Sequence, residues 1–132
     1  MPRVRESLAA FERLGLQLVV VSNSDGTVEQ AIVDAGLRTS FAAVIDSGVV
    51  GFEKPDPRIF EHAIRTVGAV ADRTLHVGDL YDADVVGARR AGLHAVLLDP
   101  YDDWGVTDCE RVADLWALAE RFAASRAPAR AR

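Results

Sequence analysis

Four short, nearly uninterrupted apolar runs rich in β-branched residues constrain this chain more than any other feature; they lie at 16–21, 42–45, 74–77 and 94–98. A strand wet on one face alternates apolar with polar residues. Near-continuous apolar runs belong to parallel strands covered on both faces by helices. The intervening segments supply helical patterns. Residues 5–14 place Leu8, Phe11 and Leu14 on one face. Residues 27–35 open with a capping-box pattern, Thr27 with Gln30, and stop before Gly36. Pro57 opens a segment whose Ile59, Phe60, Ala63, Ile64 and Val67 form an apolar stripe. Residues 82–91 end at Gly92, and 112–122 align Val112, Leu115, Trp116, Ala119 and Phe122. The expectation is an α/β layered fold with right-handed crossovers and about four mostly parallel strands. No repeat or linker divides the chain, so residues 1–124 are expected to form one domain, with 125–132 as a disordered tail.

Composition excludes several classes of function. A net charge of −5 without a basic stripe argues against nucleic acid. No apolar run approaches the length of a membrane span, and no signal-peptide pattern opens the sequence. A single cysteine, Cys109, precludes an internal disulfide and suits a reducing, cytoplasmic compartment. The basic residues are lopsided: fourteen arginines and one lysine, Lys54. That lysine suits a place where a compact ammonium fits and a planar guanidinium does not.

In folds of this class ligands bind beyond the carboxyl ends of the strands. The sequences there are "SNSDG", "DSGVVGFEKPDP", "GDLYDAD" and "DPYDDW", and polar and acidic residues concentrate in them. Ser22 and Asn23 offer a hydroxyl and an amide near a helix N-terminus, and Lys54 offers a positive charge; together they suit a phosphate. Asp79 would repel that phosphate unless a cation bridged them, which is a usual setting for Mg²⁺. Asp84 either binds the same metal or holds Lys54. Taken singly, each has a plainer reading: Ser22 and Asn23 as a helix cap, Lys54 in a solvated turn, and the aspartates as a helix start. His62, His76 and His94 show no metal-ligand spacing and read as packing or surface residues. Order and placement, all at strand ends of one sheet, favour a site.

These residues resemble the haloacid dehalogenase-like hydrolases, in the branch of phosphoglycolate phosphatases and 2-haloacid dehalogenases. "LVVVSN" is similar to the family's second motif at Ser22 and Asn23, "GFEKPDPRIF" to the third at Lys54, and "HVGDLYDADVVGARRAGL" to the fourth at Asp79 and Asp84. The resemblance implies a Rossmann-like three-layer fold and Mg²⁺-dependent hydrolysis of a small phosphorylated metabolite. In it Ser22 and Lys54 bind the transferring phosphoryl group and Asp79 holds the metal. The family's first motif, Asp-x-Asp-x-Thr on a central strand, has no counterpart before Ser22. "SNSDGTV" could itself be that motif, with Asn23 in the nucleophile's place and Asp25 as acid. In that case no helix and strand would separate the second motif from the third. Under either reading no aspartate nucleophile is in place, so weak or absent activity is expected. The alternatives are a non-catalytic phosphate- or protein-binding derivative, or part of a dehalogenase. Without the central strand, its two neighbours must pair directly or recruit a strand from elsewhere, a second subunit or a missing N-terminal segment included.

Overall fold

A computed structural model describes residues 3–105 and 107–130. Five strands form: β1 (Val19–Ser22), β2 (Ala43–Asp46), β3 (Leu75–Gly78), β4 (His94–Leu98) and β5 (Glu110–Val112). The helices are α1 (Val4–Arg13), α2 (Val28–Asp34), α3 (Ser47–Val50), α4 (Pro57–Val67), α5 (Gly87–Arg90) and α6 (Leu115–Arg130). All strand pairings are parallel, but the strands make two sheets, β1–β2 and β3–β4–β5, with no pairing between β1 and β3. The α/β architecture follows the expectation, as do the four apolar runs. Direct pairing across the place of the central strand does not occur.

Burial follows the period of two. Val19 and Val21 of β1 pack with Ile59, Phe60 and Ala63 of α4 and with Ala88 of α5, whereas Leu75 and Val77 of β3 pack with Phe11 of α1 and Leu118 and Ala119 of α6. Helices therefore cover both faces, which is why the runs carry so few polar residues.

Three local expectations are corrected. The fifth strand has only one apolar residue in three, so no hydrophobic pattern announces it; it forms because it can pair with the edge of β4. Val112 is consequently a buried strand residue and α6 begins at Leu115. The capping box at Thr27 is not made. Thr27 Oγ1 donates to Asp25 Oδ1 (2.5 Å), Gln30 bonds Asp34, and the Val28 N–H goes instead to the Asp46 carboxylate at 3.1 Å. A tertiary acceptor has displaced the local one. α6 runs to Arg130, and residues 131 and 132 of the stretch 125–132 lie outside the described residues.

Candidate active site

The polar corner begins where β1 ends. Ser22 closes the strand beside Asp46 of β2. Asn23 then grips the loop ahead of α4: its Nδ2 donates to the Lys54 carbonyl at 3.0 Å, and its Oδ1 accepts from the Lys54 N–H at 2.8 Å. This paired contact fixes the backbone of Lys54, so Asn23 acts on the lysine's position. The Lys54–Pro55 peptide is cis. Asp56 then caps α4 by accepting from the Arg58 N–H at 2.9 Å.

The loop after β1 is held from beneath by β2. Asp46, buried, accepts from the N–H groups of Gly26 at 3.0 Å, Val28 at 3.1 Å and Gly48 at 2.8 Å. Burial works to raise its pKa, but donation from these amides outweighs burial and holds the carboxyl below its usual range. Ser47 Oγ accepts from the Ser24 N–H and donates to the Ser24 carbonyl. A side chain at Gly48 would collide with the backbone of Asp25 and Gly26 at 2.6 Å, so the two loops touch because position 48 has none.

The Lys54 side chain crosses to the other sheet. Its Nζ donates to Asp84 Oδ1 at 2.6 Å, with 12% of the lysine side chain and 3% of the aspartate's exposed. His76 Nε2 lies 2.8 Å from the same oxygen, and the Leu80 N–H donates to Asp84 Oδ2 at 3.1 Å. Burial alone would raise the Asp84 pKa. Bonds from His76, Lys54 and Leu80 more than offset it and hold the carboxyl far below the ordinary range. Gly78 is required here, because a Cβ would overlap the Asp84 carboxylate. Asp84 itself lies in one wide π-type turn, Tyr81–Val86, of a kind often found at functional sites.

Asp79 follows β3 directly. It is exposed, and no hydrogen bond or ion pair engages its carboxylate among the described residues. Ser22 is half-buried, and its hydroxyl likewise has no protein partner among them. The structure thus links the predicted residues through contacts: Ser22 adjoins Asn23, Asn23 holds Lys54, Lys54 meets Asp84, and Asp84 binds the amide next to Asp79. Of the two roles open to Asp84, its present partners match the one that holds Lys54. Asp25 makes only local side-chain bonds, to Thr27 and Ser24. Between Ser22 and Lys54 lie α2 and β2, the crossover that the second-motif reading of "VVVSN" requires.

His76 was missed. It packs edge-on against Phe60, with ring centroids 4.8 Å apart, and steadies Asp84. A signal was present in the sequence: His76 and Gly78 alternate onto one face of β3, the face that Asp84 occupies.

A half-buried hydroxyl, a buried ammonium and an exposed carboxylate thus lie at the ends of parallel strands of an α/β fold. The family model for haloacid dehalogenase-like hydrolase matches residues 1–92, and the chain belongs to that family. It is 39% identical over 92 residues to the haloacid dehalogenase-like hydrolase domain-containing protein 3 of Bos taurus, covering 70% of this chain and 37% of that protein. To the phosphoserine phosphatase of Thermus thermophilus it is 39% identical over 119 residues, covering 86% and 47% respectively. The crystal structure of a HAD phosphatase from Thermococcus onnurineus superposes with a TM-score of 0.85 at 26% identity, covering 92% of this chain and 57% of that one. The chain therefore spans less than half the length of these curated relatives. Among the described residues, no helix is long and apolar enough to cross a membrane.

Proposed function

We propose that these residues form the phosphate- and metal-binding corner of a Mg²⁺-dependent phosphatase acting on a small phosphorylated metabolite. The observation that carries the reading is the placement of Lys54. The only lysine of the sequence is fixed at its backbone by Asn23 and at its ammonium by Asp84. It stands among strand ends that also carry Ser22 and Asp79. In this reading the Lys54 ammonium and the Ser22 hydroxyl donate to phosphoryl oxygens, while Asp84 and His76 orient the lysine. Asp79, an exposed hard-oxygen ligand without a competing partner, fits Mg²⁺; the ion, when bound, neutralises charge on the phosphoryl group. Among the described residues no three His, Cys, Asp or Glu side chains surround one point, so Asp79 would share the ion with phosphate and water.

The test is calorimetric titration of inorganic phosphate into the full chain with and without Mg²⁺. Mg²⁺-dependent binding is expected, and Lys54→Ala or Asp79→Ala should weaken it at least about tenfold, the loss of one charge-assisted contact. Unchanged binding in both variants would end the proposal. On phosphoserine, phosphoglycolate or an aryl phosphate, residues 1–132 alone are expected to turn over very slowly. Within residues 1–132 no aspartate stands in the place of the family's first motif, and electrostatic stabilisation supplies only part of such an acceleration. The same lack of a nucleophile favours a second reading, a site that binds phosphate without hydrolysing it; saturable binding with no product released would select it.

A further inference from the structure

The exposed large apolar side chains are not spread evenly. Of the six among the described residues, four stand past the carboxyl ends of strands: Val49 after β2, Leu80 after β3, and Tyr101 and Trp104 after β4. A lone exposed apolar residue needs no explanation, whereas a concentration of them beside a polar site marks a binding surface. Two of the four come close to Asp79. Leu80 is its neighbour in sequence. Trp104 reaches it through Tyr81, two residues beyond Asp79, whose ring centroid lies 6.3 Å from that of Trp104 at a tilt of 43°. Both rings are held in place by polar contacts. Tyr81 Oη donates to Asp108 Oδ1, which also receives Arg89 Nη1 at 3.0 Å. The loop that carries Trp104 folds over the buried Asp99, whose carboxylate accepts from the Asp103 N–H at 2.8 Å, the Trp104 N–H at 3.2 Å and Arg111 Nη1 at 3.1 Å. These bonds fix Trp104 through its backbone and leave 41% of the residue exposed. A ring already ordered and still open to solvent loses little freedom when a ligand covers it.

Charge narrows what such a ligand can be. The arginines at this rim are engaged: Arg89 by Asp108, and Arg111 by Asp99 and Asp102. Asp82 and Asp103 are exposed, and no hydrogen bond or ion pair engages their carboxylates among the described residues. The surroundings of the ring pair therefore repel anions. We infer that Tyr81 and Trp104 form a specificity-determining platform for the group esterified to the phosphate, and that this group is planar, aromatic and free of negative charge. The inference deepens the phosphatase reading and rests on it. With the phosphoryl group at Ser22 and Lys54, the organic part of the ester lies past Asp79 and stacks on the exposed face of Trp104. An ester that carries a carboxylate, such as phosphoserine or phosphoglycolate, meets Asp82 and Asp103 there and finds no free cation. A macromolecular partner suits the patch less well, because two rings and a leucine fall far short of the roughly 800 Å² per partner that a stable protein interface buries.

The experiment titrates non-hydrolysable phosphonates into the full chain in the presence of Mg²⁺. para-Nitrobenzylphosphonate is expected to bind at least about tenfold more tightly than phosphonoacetate, and Trp104→Ala to cut that preference about fivefold. Trp104→Phe, which keeps an aromatic face, should restore most of it. In Trp116→Phe, where Trp104 is the only indole, the nitroaromatic ligand is expected to quench the emission and phosphonoacetate to leave it unchanged. Inorganic phosphate, titrated alongside, separates the two readings. Phosphate binding with no preference for the aromatic ligand, or a preference that survives Trp104→Ala, would overturn the platform and leave the phosphate site standing. No binding of phosphate would remove both. Indole emission that changes with protein concentration, together with a dimer in light scattering, would overturn the platform in favour of contact with a second copy.

Discussion

The two sheets solve the same problem, presenting polar groups at strand ends, by different means. The β1–β2 side works through backbone contacts: Asp46, Ser47 and Asn23 all bind main-chain groups, and their effect is to shape loops. The β3–β4–β5 side works through side-chain charge: Asp84, buried beside His76, receives an ammonium from the loop after β2. The first arrangement fixes where Lys54 starts and the second where it ends. Because no ladder joins the sheets among the described residues, their coupling falls to the packing of α4 and α1 against both and to this ion pair.

That contrast can be broken at graded cost. Phe60, 1% exposed, touches His76 and belongs to the core shared by β2, α4 and α5. Phe60→Ala should destabilise the chain by about 3–5 kcal/mol in urea unfolding. A value near 1 kcal/mol would show that the halves are joined elsewhere. Asp84→Ala leaves Lys54 and His76 without their shared acceptor. A loss of roughly 2–4 kcal/mol is expected, below the figure for a fully enclosed pair because the lysine retains some exposure.

The same carboxylate sets an acid dependence. Its folded-state pKa is depressed, so its stabilising contribution is complete above the unfolded value near pH 4 and declines as pH falls toward the folded one. Unfolding midpoints measured from neutral pH downward should fall more steeply below about pH 4 in the parent than in Asp84→Asn. Parallel curves would place the acid sensitivity elsewhere.

Smaller effects test the loop side. Asn23→Asp keeps the acceptor for the Lys54 N–H and loses the donor to its carbonyl, for a cost of about 1 kcal/mol. It should bring no gain in phosphatase turnover. A large gain would revive the reading of "SNSDGTV" as the nucleophile motif. Thr27→Ala should change stability by less than about 0.5 kcal/mol, because its exposed hydroxyl bonds only Asp25 and caps nothing. A loss near 1 kcal/mol would mean that the cap forms in solution.

The sequence by itself determined the layers, the four principal strands and the candidate corner. Each was written in a local pattern, whether a doubly covered apolar run, a Pro or Gly at a helix end, or polar residues clustered after strands. It also singled out Lys54 by composition. Tertiary structure alone decided which partners those groups take. Asp46 captures the amide that Thr27 was expected to cap, Asp84 faces an ammonium thirty residues earlier in the chain, and β5 exists only because β4 has an edge to offer. Hydrogen bonds and charges act over a few ångströms whatever the separation along the chain. A pattern of residues can therefore announce which groups seek partners, while the packing of the strands determines which ones they find.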